Sequence, residues 1–203
     1  MPKPFQVQDK YFHLAKEEGY RARSAFKLLE IQGKFHILRP GQTVVDLGAA
    51  PGSFLQVISK IIGPTGKAFG IDLQEIEPFF ETWEKNITTL QADIMDKEAV
   101  LGALSQAGFT KVDSVTSDLA PKTSGIRDLD QGLSEELTDQ AFYLSTLLLK
   151  KGGSFLGKIF EGPEMPLLLK RIKRKFRDVH VFKPSSCRDR SFETYIIAKG
   201  FLG

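Results

Sequence analysis

The amino-acid sequence predicts an α/β protein built around a doubly wound, mostly parallel β-sheet. Seven short apolar runs recur along the chain, and segments with helical patterns separate most of them. The runs are rich in Val and Ile, as is typical of strands covered by helices on both faces. In chain order they are TVVDLG, GKAFGIDL, ITTLQAD, VDSVTSD, GGSFLGKIF, DVHVFKP and ETYIIAKG.

The helices can be placed coarsely between these strands. SAFKLLEIQGKF has helical apolar spacing ahead of the first strand, and SFLQVISKIIG has it after the first strand, ending at Gly63. A third helix is predicted over SEELTDQAFYLSTLLLKKGG, opened by Ser134 and closed by Gly152. In LLLKRIKRKFRD one helical face is apolar, with Phe176 on it, and the rest is basic. A basic face of this kind fits exposure to solvent and contact with RNA equally well.

Length and composition fit one globular domain. The chain has 203 residues, of which 41% are hydrophobic and 26% charged, and it contains no repeat, low-complexity tract or long linker. We therefore expect a single domain over residues 1–203, with residues 1–40 as a helical extension ahead of the first strand. The net charge of +3 is too small to indicate a nucleic-acid partner by itself.

Cysteine content and hydropathy predict the compartment. The single cysteine, Cys187, excludes an internal disulfide and a cysteine-rich metal site. No run approaches the roughly 20 apolar residues of a membrane span, and the first ten residues lack the apolar core of a signal peptide. We expect a cytoplasmic protein that does not enter a membrane.

The segment VVDLGAAPGSF predicts a ligand-binding loop after the first strand, because small residues let a ligand come close to the backbone. A dinucleotide fingerprint would need glycine where this chain has Ala50, and a Walker loop would end in Gly-Lys-Ser/Thr. A phosphate cradle is therefore disfavoured. This argues against an NAD-dependent oxidoreductase.

Two acids follow the next strands at positions that suit an adenosine. Asp72 ends the second strand, about 20 residues after the loop, where an acid can accept hydrogen bonds from ribose hydroxyls. Asp93 ends the third strand, where it could meet an adenine amino group. Singly, these features fit a tight turn, a helix cap or a solvated loop equally well. Their order at successive strand ends favours an adenosine without phosphates, bound also by Gly48 and Gly52.

Five segments in order make the sequence resemble the S-adenosylmethionine-dependent methyltransferases, and within them the FtsJ-type ribose 2′-O-methyltransferases, whose bacterial members act on 23S ribosomal RNA. They are DKYFHLAKEEGYRARSAFKLLEI, VVDLGAAPGSF, SDLAPKTSG, GGSFLGKIFEG and SCRDRSFETYIIAKG. The resemblance implies a seven-stranded, Rossmann-like methyltransferase sheet and S-adenosyl-L-methionine as cofactor. It places cofactor contacts on Gly52, Phe54, Asp72, Asp93 and Asp118. This chain has Ser53 and Phe54 where family members often have Gly-Trp.

The resemblance also implies a catalytic Lys-Asp-Lys-Glu set, which falls on Lys27, Asp118, Lys158 and Glu193. The residues themselves add that Lys158 lies in an apolar strand, where a lysine is costly unless it is paired, functional or extended to the surface. At a ribose hydroxyl, Lys158 could stabilise a developing alkoxide as a cation, or act as a general base if neutral. The sequence leaves both roles open.

A basic rim and an RNA partner are also predicted. The arginines expected to contact RNA phosphates lie just before the implied catalytic residues and are Arg21, Arg23, Arg188 and Arg190. The three histidines are scattered, so no metal is expected. By resemblance, the expected substrate is RNA of the large ribosomal subunit, modified by a monomeric enzyme. Transfer RNA, a messenger cap, and a non-catalytic role in RNA binding and assembly are the alternatives.

Overall fold

A computed structural model of the chain describes residues 10–188 and 191–203. Its strands are β1 (Thr43–Leu47), β2 (Lys67–Asp72), β3 (Ile87–Gln91), β4 (Val112–Ser117), β5 (Leu149–Phe160), β6 (Phe176–Phe182) and β7 (Glu193–Phe201). They form one sheet in the order β3-β2-β1-β4-β5-β7-β6. The strands from β3 to β5 are parallel, whereas β7 is antiparallel to both β5 and β6. The predicted α/β fold with a doubly wound, mostly parallel sheet is confirmed.

Helices cover both faces of this sheet. Within the described residues they are α1 (Lys10–Glu17), α2 (Ala25–Phe35), α3 (Ser53–Ile62), α4 (Lys97–Gln106), α5 (Arg127–Leu148) and α6 (Met165–Lys173), with a short 3-10 turn at Thr82–Glu84. None of these described helices combines the length and apolar character needed to cross a membrane.

Two apolar clusters fill the spaces between the sheet and the helices. One contains buried residues of α1, α2 and α3, and the other contains buried residues of α4, α5 and α6. Successive residues of β1 alternate between them, since Val44 packs in the first cluster and Val45 in the second. Because both faces are covered, the central strands need nearly continuous apolar sequence, which is the pattern that made them recognisable.

The predicted boundaries of α5 were wrong at both ends. The helix begins at Arg127 rather than Ser134, because the Asp130 carboxylate in its first turn accepts the backbone N–H groups of Ser124 at 2.7 Å and Gly125 at 3.1 Å. It ends at Leu148, and the chain passes directly into β5, which contains Gly152. Residues 127–133, ahead of the predicted start, are therefore helical.

The basic helix was also predicted too long. It ends at Lys173, and Phe176 begins β6, where its ring is buried and lies 5.2 Å from the ring of Phe201. The apolar spacing of α6 continues into β6 because the helix and the strand bury their apolar side chains in the same cluster.

Helix α2 turns one basic side chain toward the sheet. Its fully buried residues Leu28 and Ile31 pack in the first cluster, and Lys27 beside them is only 8% exposed. A lysine buried to this extent needs a charged partner, and that partner lies at the carboxyl edge of the sheet.

Candidate active site

The structure brings the four implied catalytic residues together at the carboxyl edge of the sheet. Asp118 follows the last residue of β4, and Lys158 lies on the neighbouring strand β5. Glu193 begins β7, and Lys27 reaches the same edge from α2. Because β7 is antiparallel, its first residue lies where the parallel strands end.

Lys158 and Asp118 form the first of two ion pairs. The Lys158 ammonium lies 3.0 Å from Oδ1 of Asp118 and donates to the backbone carbonyl of the same residue at 2.6 Å. Lys158 is 5% exposed, so these oxygens replace much of the hydration that the ammonium loses. Thr138 on α5 donates to the Lys158 carbonyl at 2.6 Å, which ties the strand to the helix behind it.

Tyr195 also lies in the candidate site, although the sequence analysis did not predict it. It lies directly opposite Lys158 in the β5–β7 pairing, and its buried hydroxyl donates to Oδ1 of Asp118 at 2.6 Å. Burial and the Asp118 carboxylate raise the pKa of Tyr195 well above its ordinary value, so the hydroxyl stays a donor. Burial by itself would raise the pKa of Asp118, but Lys158, Lys27 and the Tyr195 hydroxyl hold it below its ordinary value.

Lys27 and Glu193 form the second ion pair. The Lys27 ammonium lies 2.8 Å from Oε1 of Glu193. Burial alone would lower the pKa of Lys27, but the carboxylates of Asp118 and Glu193 hold it above its ordinary value. Burial would likewise raise the pKa of Glu193, but Lys27 holds it below. Both members of this pair are therefore charged at neutral pH.

The loop before β7 is fixed to α2 through Glu30. One carboxylate oxygen of Glu30 accepts the backbone N–H of Ser185 at 2.7 Å, and the other accepts the backbone N–H of Ser186 at 3.2 Å and its hydroxyl at 3.1 Å. The next residue, Cys187, is buried and its thiol donates to Glu193. Lys27 and Glu30 are one helical turn apart, so α2 holds both the partner of Glu193 and the loop beside it.

The glycine loop is shaped by two residues with left-handed backbone. Gly48 has φ 75° and Gly52 has φ 106°. A Cβ at Gly48 would lie 2.5 Å from the Leu119 side chain, and one at Gly52 would lie 2.7 Å from the ring of Phe79. Asp72 fixes the loop, since its Oδ2 accepts the backbone N–H of Ala50 at 2.9 Å. Larger residues at either glycine would be strained and would clash.

Asp46, within the same segment, is a buried acid whose charge is only partly matched. Its Oδ1 accepts the Thr116 hydroxyl at 2.5 Å, while no described residue donates to its buried Oδ2. Burial, with the nearby carboxylates of Asp118 and Asp72, raises the pKa of Asp46 well above its ordinary value. Three acidic side chains thus lie close together beneath the loop, and a cationic ligand bound there would favour the ionised form of Asp46.

The two remaining residues predicted to bind the cofactor differ in their exposure to solvent. Asp93 is exposed two residues beyond β3, and its Oδ1 accepts the backbone N–H of Met95 at 2.9 Å. Phe54 is 2% exposed and packs in the first cluster, among side chains of α1, α2 and α3.

The predicted RNA-binding arginines have unlike surroundings. The Arg21 guanidinium donates to the carbonyls of Pro51, Glu77 and Pro78 at 3.0, 2.6 and 2.6 Å and lies 3.8 Å from the centroid of the Phe79 ring. Arg23 is half-buried and donates to the carbonyl of Ser186, whereas Arg188 is exposed. Arg190 lies outside the described residues.

Within 10–188 and 191–203 no three His, Cys, Asp or Glu side chains are grouped as ligands for an ion. The site is thus made of two lysines, their carboxylates and a tyrosine.

A sequence model of the family described as FtsJ-like methyltransferase matches residues 20–201, which include every element of the site. The chain belongs to this family. It is a methyltransferase. A curated relative named ribosomal RNA large subunit methyltransferase E, from Methanothrix thermoacetophila, is 46% identical over 195 residues, which are 96% of this chain and 73% of the relative.

Solved structures agree with the family assignment. A ribosomal RNA methyltransferase described as putative, from Plasmodium falciparum, aligns over 91% of this chain and all of its own with a TM-score of 0.79 and 29% identity. Fibrillarin from Aeropyrum pernix, solved in complex with natively bound S-adenosyl-L-methionine, aligns over 88% of this chain and 75% of its own with a TM-score of 0.58. At 19% identity, the fibrillarin likeness establishes the methyltransferase fold alone.

Proposed function

We propose that this FtsJ-like methyltransferase transfers a methyl group from S-adenosyl-L-methionine to a ribose 2′-hydroxyl of RNA in the large ribosomal subunit, 23S ribosomal RNA in a bacterial ribosome. The observation that carries the proposal is the pair of buried ion pairs, Lys158–Asp118 and Lys27–Glu193, beside the glycine loop. The names of the relatives support the class of RNA.

The residues around the loop fit a cationic adenosine cofactor. We assign the ribose to Asp72, whose oxygens also accept the backbone N–H groups of Ala50 and Gln74 and keep lone pairs for hydroxyls. Asp93 would accept a hydrogen bond from the adenine amino group. Gly48 and Gly52 let the cofactor approach the backbone, and the Asp118 carboxylate offsets its positive charge. That charge in turn favours the ionised form of Asp46. When bound, the cofactor supplies an electrophilic methyl group on a sulfonium.

Lys158 then acts on the hydroxyl oxygen of the ribose. Its ammonium, held by Oδ1 and the backbone carbonyl of Asp118, stabilises the negative charge that develops on this oxygen as the hydroxyl proton leaves to water. Asp118 and Tyr195 orient this ammonium, while Lys27 and Glu193 fix the adjoining wall. Of the two roles that the sequence left open, we assign Lys158 the role of the cation, because both of its contacts are with oxygen acceptors of Asp118.

RNA contacts are assigned to the exposed part of the basic rim. Arg188 is exposed near Glu193 and Arg23 lies beside it, so both can approach phosphates. Arg21 already uses its donors on three carbonyls, so we assign it to holding the glycine loop. Arg190 is kept as a phosphate contact on its sequence position alone.

We also propose that residues 1–203 form one methyltransferase domain that acts as a monomer in the cytoplasm. The packing of α1 and α2 on the sheet supports a single unit that includes the helical extension, and the one cysteine, unpaired and buried, fits a reducing compartment. Light scattering of the purified chain measures its mass in solution.

The substrate is tested by comparing three RNAs with radiolabelled S-adenosylmethionine. They are a naked large-subunit transcript, the assembled large-subunit particle and free transfer RNA, each at two salt concentrations. We expect most transfer to the particle, mapped to a ribose 2′-oxygen, and a steep fall in transfer as salt rises, because phosphate contacts weaken. Preference for transfer RNA would overturn the substrate. Cofactor and RNA binding without transfer would favour a non-catalytic assembly factor.

A further inference from the structure

An exposed aromatic ring lies next to the candidate active site and plays no part in the chemistry described so far. Phe192 immediately precedes Glu193, and its side chain is 48% exposed. Its backbone carbonyl accepts the N–H of Glu161 at 2.9 Å, just beyond the last residue of β5. The backbone position of Phe192 is therefore fixed at the carboxyl edge of the sheet.

A guanidinium covers this ring. The Cζ atom of Arg127, the first residue of α5, lies 4.5 Å from the centroid of the Phe192 ring. Two more apolar side chains of the same helical start are open to solvent, since Ile126 is 63% and Leu129 49% exposed. We call Phe192 and Arg127 together the rim platform.

The rim platform flanks the charged site on the side of α5. Successive side chains of a strand point to opposite faces of the sheet. Glu193 points toward Lys27 on α2, whereas Phe192, one residue earlier, contacts Arg127 on α5. The loop of residues 119–126, with exposed Lys122, joins Asp118 to the platform.

We infer that the rim platform stacks a nucleobase of the RNA substrate, at or next to the nucleotide whose ribose is modified; this inference rests on the proposed function. Flat aromatic rings and guanidinium planes are the groups on which proteins stack unpaired RNA bases. Arg127 and Lys122 add positive charge where the adjoining phosphates would lie. RNA therefore fits this surface better than an apolar partner, because an apolar partner would provide no negative charge for the two cations.

The test uses three substitutions of Phe192 and one matched control. Phe192→Ala removes the ring, Phe192→Leu keeps an apolar side chain without a flat face, and Phe192→Trp keeps a flat face. The control is Leu202→Ala, which truncates a 43% exposed side chain just beyond the opposite end of the same strand. Thermal melts and calorimetric S-adenosylmethionine binding establish that each variant is folded.

Three quantities are measured: the RNA dissociation constant, by fluorescence anisotropy with a large-subunit transcript, and KM and kcat for methyl transfer to the assembled large-subunit particle. We expect the Ala and Leu variants to weaken RNA binding and raise KM about tenfold or more, with a smaller effect on kcat. The Trp variant and the control should bind RNA as the wild type does.

Wild-type RNA binding by Phe192→Leu, or by a folded Phe192→Ala, would overturn the stacking inference whether or not methyl is transferred. A wild-type protein that binds RNA but transfers no methyl would instead overturn the proposed function, and the platform is then judged on binding alone. A wild type that neither binds nor modifies RNA overturns both.

Discussion

Tyr195 and Lys158 face each other across β5 and β7, and both contact the same carboxylate oxygen of Asp118, at 2.6 Å and 3.0 Å. One oxygen thus holds a neutral donor and a cation together. The register of two antiparallel strands sets this geometry, so the ammonium of Lys158 is oriented before any substrate arrives. Such positioning lowers the activation barrier most when the reacting groups need no further rearrangement.

Removing the Tyr195 hydroxyl is expected to slow transfer without changing RNA affinity. A hydrogen bond to a carboxylate is worth roughly 1.5–3 kcal/mol, so kcat of Tyr195→Phe should fall about tenfold or more. The hydroxyl also helps to lower the pKa of Asp118, so its loss lets that pKa rise and moves the acid limb of the pH–rate profile to higher pH. Tyr143→Phe, on an exposed face of α5, is the control. An unchanged profile would show that Tyr195 only packs.

Asp46→Asn is expected to stabilise the protein at neutral pH and to weaken cofactor binding. The pKa of Asp46 is raised in the folded state, so stability falls as pH rises from about 4, the ordinary aspartate value, through the folded pKa. Asparagine carries no charge to bury, and the gain at neutral pH should be about 1–3 kcal/mol, disappearing below about pH 4.

Denaturant unfolding across this pH range measures the difference. Asp178→Asn, a half-exposed acid 2.8 Å from His180, is the control and should change stability by less than about 1 kcal/mol. A loss of stability in Asp46→Asn at neutral pH, or equal cofactor affinity by calorimetry, would contradict the role given to the unmatched oxygen.

Much of the fold follows from local sequence, because strands covered on both faces need uninterrupted apolar runs and helices need one apolar face. All seven strands were predicted from such runs. The insertion of β7 between β5 and β6 was not, since strand pairing is a property of the assembled sheet. The true start of α5 was missed because it depends on Asp130 binding the two N–H groups that precede the helix.

The site was predicted in the same uneven way. Its four charged residues were predicted from the resemblance of sequence motifs, and in the structure they form two ion pairs. Tyr195 and Glu30 were missed because each acts on groups far away in the chain, 77 and more than 150 residues distant. One available signal was the position of Tyr195 two residues after Glu193, which puts both side chains on one face of a strand.

The thiol of Cys187 is expected to resist alkylation in the folded protein. Burial, and then its contact with Glu193, raise the pKa of Cys187 to about 12, so almost no thiolate exists at pH 8. Iodoacetamide should label it more than about 1000-fold more slowly in the native protein than in denaturant. Mass spectrometry gives the rate directly, since the chain has one cysteine. Rapid labelling of the native protein would mean that the contact with Glu193 is not kept in solution.

The most direct test of the account is single-turnover methyl transfer by Lys158→Ala, with S-adenosylmethionine binding measured on the same preparation. We predict wild-type cofactor affinity within about threefold and no transfer above background, because the group that stabilises the ribose oxygen is gone. Lys158→Arg should keep a trace of transfer, since arginine retains the positive charge. If the reaction instead needed Lys158 as a neutral base, the Lys158→Arg variant would be inactive. Wild-type-like transfer by a folded Lys158→Ala variant would contradict the central claim.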